Sequence, residues 1–145
     1  YDIPGKLIGN WFLVGRSSAR ESYWVNNLSI VYDHLDPSQI RVSLGNFENY
    51  PKAFGVRGNA PNPATVSADS GLTKYELVPF DYYSDGNKWD NLHYAGNLTA
   101  RNANDGVGTV LFQIMPDGKL KIEVFPRKTA SQVSGFTSAA LTYER

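Results

Sequence analysis

The sequence predicts an all-β protein, a single antiparallel barrel of eight to nine strands in up-and-down order, on three observations. Apolar and polar residues alternate with period two, Gly, Pro, Asn and Asp break that alternation at hairpin spacing, and no stretch has helical spacing long enough to cover a sheet. Closing the sheet also removes the unpaired edges that so many apolar strands would otherwise expose. With 145 residues, the chain is expected to fold as one domain over 1–145.

The first strand is read over 7–15. Over 28–34, Leu28, Ile30, Tyr32 and His34 share a phase, and Asp36-Pro37-Ser38 turns the chain into 39–49, where Ile40, Val42 and Leu44 repeat it. The stretch 50–71 holds Pro51, Pro61, Pro63 and several glycines, and it reads as a lid or side loop with a short strand over 65–68. Over 73–83, Tyr75 and Leu77 point inward until Pro79, which has no N–H to donate and so bends the strand or marks an edge. Asp85-Gly86-Asn87 leads into a strand over 88–101 with Leu92, Tyr94, Gly96 and Leu98 in phase, followed by a loop over 102–106. Pro116-Asp117-Gly118 folds 108–115 onto 119–124, bringing Val110, Phe112 and Ile114 to the same face as Leu120, Ile122 and Val124, with Lys119, Lys121 and Glu123 towards water. A last strand over 135–145 has Ala139, Leu141, Tyr143 and Arg145 in phase.

Composition excludes several classes. The 14 basic and 14 acidic side chains cancel and no Lys or Arg run occurs, so the counterion-releasing face of a nucleic-acid binder is lacking. Without cysteine there are no disulfides, thiolate zinc sites or thiol nucleophiles. Apolar runs such as Val110-Leu111-Phe112 fall far below the ~20 residues of a membrane span. No Gly-x-Ser-x-Gly elbow is present, and Asp81, Asp85 and Asp90 gather around one loop where turn roles cover them better than a glycosidase pair. The two histidines, His34 and His93, fall on opposite faces in these strand phases, so no metal and no cofactor is expected. The chain starts at Tyr1, and Asn27-Leu28-Ser29 and Asn97-Leu98-Thr99 fit the glycosylation pattern. Loss of an upstream segment and a secreted or periplasmic location are the expectations.

Aromatic residues reach 13% while charged ones fall to 19%, under the usual ~25%. Gly9-Asn10-Trp11 opens the first strand: the glycine lets the backbone bend, and the indole can close one end of a barrel while giving its N–H to a nearby carbonyl. This Gly-x-Trp opening resembles that of lipocalins and their relatives, the calycin barrels. The resemblance implies a barrel around a small ligand, with a cation of the last strand packed across the Trp, here Arg145 of Leu141-Thr142-Tyr143-Glu144-Arg145. The same C-terminal residues resemble the end of fatty-acid-binding proteins, without the arginine expected shortly before the Tyr. The nearest counterpart of the calycins' middle motif, Thr-Asp-Tyr, is Phe80-Asp81-Tyr82-Tyr83.

An eight-stranded barrel either fills its interior with side chains or holds one small ligand. The candidate wall is Tyr32, Tyr75, Tyr94 and Phe112, and the candidate mouth is Trp24, Phe47, Phe54, Tyr82, Tyr83 and Trp89. Inward Tyr hydroxyls need partners, which a ligand with polar atoms would supply; the same rings could instead plug the core. His34 is a candidate polar contact or general base and, by resemblance to haem-carrying calycins, a candidate ligand; a core or rim histidine is the alternative. Three functions fit: binding and transport or storage of a small hydrophobic or aromatic molecule that enters past the 50–71 loop; an isomerase or cyclase on the same barrel; and a carbohydrate-binding module stacking sugars on Trp24 and Trp89. Oligomerisation stays open.

Overall fold

In a computed structural model, which describes residues 2–15 and 26–145, eight strands close an antiparallel barrel. They are β1 (Gly9–Leu13), β2 (Asn27–Tyr32), β3 (Ile40–Phe47), β4 (Tyr50–Val56), β5 (Thr73–Val78), β9 (Gly108–Ile114), β10 (Leu120–Pro126) and β11 (Leu141–Glu144). Each pairs with the barrel strand before and after it in the chain, and β11 closes on β1. Between β5 and β9 the chain makes a second, three-stranded sheet from β6 (Phe80–Ser84), β7 (Asn87–Lys88) and β8 (Thr99–Asn102).

Two segments differ from expectation. Residues 50–56 are strand rather than loop, because Glu48 and Asn49 both take positive φ, 50° and 75°, and turn β3 directly into β4. Pro51 is tolerated there because β4 meets β5 only at Gly55 and Val56, leaving its first half without a neighbour on that side. The expected strand over 88–101 is instead β7, an irregular stretch and β8. Its alternation has no sheet to face: Leu92 is 84% and Tyr94 97% exposed. Pro79 does interrupt the ladder, separating β5 from β6. In place of the short strand, a turn over 63–65 is followed by two irregular residues and a single 3₁₀ turn at Ala68–Ser70.

Period-two alternation sets the interior. Trp11 lies opposite Leu28 and Leu28 opposite Leu44, while Val42 faces Phe54 and Tyr75 faces Val110. These join Ile30, Leu77, Phe112, Ile114, Leu120, Ile122 and Tyr143 in one cluster. Each large side chain so buried contributes roughly 1.5–3 kcal/mol. Part of the outer wall is buried too. Leu111 and Thr109 are fully buried on the outward phase, under the 127–140 connection that contributes buried Val133. Glu123, expected in water, accepts from the backbone N–H (2.7 Å) and hydroxyl (2.5 Å) of Thr137 on that connection and is buried.

The end of the barrel where β1 begins is sealed. The Trp11 indole N–H donates to the Leu7 carbonyl at 2.9 Å, and the Arg145 guanidinium stands 4.1 Å over the indole ring. Gly9, at φ 130°, makes room for this: a methyl group there would overlap the Asp2 carboxylate and the Arg145 guanidinium. The 57–72 connection closes the same end, since the Leu7 and Ile8 amides donate to the Val66 and Pro63 carbonyls, both at 3.0 Å. It is therefore not a lid over an opposite mouth.

Trp11→Ala is expected to lower unfolding stability in urea by about 3–5 kcal/mol. A loss below about 1 kcal/mol would show that the indole does not hold that end shut.

Candidate ligand-binding site

The candidate residues separate into four places. Tyr32 and the hydroxyl end of Tyr75 lie towards the sealed end, and both hydroxyls are already engaged by the 57–72 connection: Tyr32 donates to Asn62 Oδ1, and Tyr75 to the Pro61 carbonyl at 2.5 Å. Burial pushes the Tyr75 phenol's pKa up, so it stays a neutral donor. The polar partners that inward tyrosines demand come from a loop of the same chain.

At the barrel's centre, Tyr75 and Phe112 pack edge to face with centroids 5.4 Å apart. No water-sized gap touches either ring, nor Ile30, Val42, Leu77, Val110 or Leu120. The middle of the tube is filled by its own side chains, so Tyr75 and Phe112 plug the core rather than line a free wall.

At the other end, where β3 finishes and β4 starts, Phe47 is half-buried and meets buried Phe54 edge to face at 4.8 Å. The Lys52 ammonium lies 5.7 Å from the Phe54 ring. Leu13, at the end of β1, and Val124, late in β10, are likewise half-buried against the core. Apolar surface here is only partly covered and continuous with the interior, as it also is at Ile40, Ala60 and Val107. Trp24 lies outside the described residues.

The remaining candidates stand on the small sheet, outside the barrel. Tyr82 meets Phe80 and Trp89 edge-on at 5.6 and 6.1 Å, the Trp89 indole N–H donates to the His93 carbonyl at 2.7 Å, and Arg101 lies 4.4 Å over Tyr83. Tyr94, placed in the wall by its phase, is on the surface. His34, also expected inward, is exposed on the β2–β3 turn, because β2 ends two residues earlier at Tyr32.

What ties the small sheet to the barrel is a buried ion pair that turn chemistry alone does not foretell. Asp33, 2% exposed, takes the Arg41 Nε–H at 2.7 Å, the backbone N–H groups of Leu35 and Asp36 at 2.8 Å each, and the Tyr82 hydroxyl. Burial alone would raise its pKa; the Tyr82 hydrogen bond, the two amides and the Arg41 charge outweigh that and hold it below the usual carboxylate value. Arg41 stacks 3.6 Å over Phe80, and Asn102 of β8 donates to the Val56 carbonyl at 3.0 Å. Asp36 accepts the Ala100 amide at 2.8 Å. In sequence, Arg41 was only an outward-phase residue of a strand; its burial depends on a sheet some 40 residues away.

No family profile matches the chain, and no curated protein or solved structure matches it significantly either.

A carboxylate with a depressed folded pKa adds stability that is present above its unfolded pKa and lost as pH falls through the folded value. Acid unfolding is therefore expected to steepen below about pH 4. Asp33→Asn should flatten that limb and, by leaving Arg41 buried without a counter-charge, cost about 3–5 kcal/mol at neutral pH. Urea unfolding across pH 2–7 checks both; an unchanged acid limb in Asp33→Asn would remove the carboxylate from this role.

Proposed function

We propose that the chain is a calycin-like binding protein that carries or stores a small hydrophobic or aromatic molecule at the barrel end away from the Trp11 plug. The observation that carries this reading is the half-buried Phe47, packed on Phe54 at 4.8 Å where the filled interior meets the surface. An apolar guest would bury its ring or chain against Phe47, Phe54, Leu13 and Val124. Area removed from water would supply affinity, and the Lys52 ammonium would receive a polar or anionic end. Because Tyr75 and Phe112 occupy the centre, the guest sits in the rim rather than at the core. A secreted or periplasmic carrier is the setting this reading expects. For an enzyme on the same frame the candidate acids or bases were a Tyr or His34, and of these His34 stands exposed on a turn.

Titration with retinol, a long-chain fatty acid and anilinonaphthalene sulfonate tests the proposal. Saturable one-to-one binding of at least one is expected, weakened at least tenfold, about 1.4 kcal/mol, by Phe47→Ser and unchanged by Tyr94→Ala. Absence of saturable binding by all three, or equal affinity in a folded Phe47→Ser protein, would refute it.

A further inference from the structure

The outer wall of the barrel has three faces. One is roofed by the 127–140 connection, which Lys74 Nζ also holds by donating to the Ala130 carbonyl at 3.0 Å. A second carries the small sheet through Asp33 and Arg41. The third, the stretch of β1 to β4 around Asn10, Ser29, Ser43 and Ala53, away from Arg41 and Gly55 which the small sheet covers, is roofed by no element among the described residues.

That third face is recessed because register sets short side chains in a row: Asn10 beside Ser29, Ser29 beside Ser43, Ser43 beside Ala53. All four take the phase opposite to the buried Trp11, Leu28, Leu44 and Phe54. Where a barrel exterior would ordinarily carry long side chains, this one has a cleft of about 500 Å³, with Asn27 and Lys52 also in its lining. The volume falls within the range that holds small ligands. Asn27 in addition has a buried side-chain oxygen that no hydrogen-bond donor meets.

We propose that this cleft binds a neutral polyhydroxylated ligand, a sugar unit of one or two rings. Asn and Ser side chains both donate and accept, which is the pattern a sugar hydroxyl matches, since it too does both. Neighbouring strands space the row at about 4.5–5.5 Å, so a ring laid across β1, β2 and β3 meets a polar group from each strand. Among the described residues no carboxylate lines the cleft to hold a metal cation, and one ammonium, Lys52, is too little for a phosphate dianion. Ala53 and Pro51 add apolar surface for the C–H face of the ring. This site is on the outer wall and shares Lys52 with the rim reading, so a variant such as Ser43→Trp, which leaves Lys52 in place, separates the two.

The test is a ¹H–¹⁵N chemical-shift titration of the whole chain with maltose, cellobiose and N,N′-diacetylchitobiose. Saturable shifts at the Asn10, Asn27, Ser29 and Ser43 amides are expected with at least one sugar. Ser43→Trp, which fills the recess, should weaken that binding at least tenfold while retinol or fatty-acid binding at the rim is unaltered. Ser29→Tyr serves the same purpose should Ser43→Trp fail to fold. If none of the three sugars moves these amides at millimolar concentration, or if a folded recess-filling variant binds as well as the parent, the proposal is overturned.

Discussion

Closure of the barrel rests on Arg145 lying over Trp11. The β1–β11 seam is thin, pairing only Phe12 with Glu144 and Leu13 with Tyr143, extended by the Val14 amide on the Thr142 carbonyl at 2.9 Å. Arg145 compensates at the chain's end. Besides stacking on the indole, it donates to the Ile8 carbonyl at 3.0 Å, the Ile3 carbonyl at 3.3 Å, the Lys6 carbonyl, and the Asp2 carboxylate at 3.0 Å. An exposed Asp–Arg pair alone contributes little, and a cation over an indole about 0.5–2 kcal/mol. Their value here lies in joining the first and last segments of the chain across the seam, at the spot Gly9 leaves clear.

The other thin seam is β4–β5, where Gly55 and Val56 pair with Val78 and Leu77, extended by the Arg57 amide on the Glu76 carbonyl at 2.9 Å. It too has a polar fastening. Asn102 of the small sheet reaches the Val56 carbonyl and Arg41 lies beside Gly55, where a side chain would strike Asn102 and crowd Arg41. A guanidinium and a glycine thus recur at both weak points, once where the two ends of the strand series meet and once in its middle. The small sheet is in this sense a strap across the seam rather than a separate appendage.

How much of this was legible follows from range. The hairpin of β9 and β10, the phases of β2 and β3 and the break at Pro79 are local, and alternation with turn residues revealed them. The Trp11 plug was legible because Gly9, Trp11 and Arg145 carry a family resemblance. What could not be read depended on distant partners. The β3–β4 turn uses Glu48 at positive φ, which residue preference argues against. The alternation of Leu92 and Tyr94 is real in sequence but meets no sheet, and His34 lost its place when β2 stopped at Tyr32. The surplus of aromatic residues was ambiguous from the start: Trp11, Phe54, Tyr75 and Phe112 fill the tube, while Phe47, Tyr82, Tyr83 and Trp89 lie at its rim or outside.

A filled tube changes where recognition can take place. Interiors packed without gaps yield guest space only by moving large rings, and Tyr75 cannot move without leaving its hydroxyl bond to Pro61 or its contact with Phe112. Phe47 has no such double restraint, being half-exposed and held by one ring contact. The outer cleft needs no movement, because Ser29, Ser43 and Ala53 already leave it open. The barrel is therefore a rigid frame whose centre is given over to stability, and the two surfaces proposed to accept a molecule are ones where the described side chains are either loosely held or short.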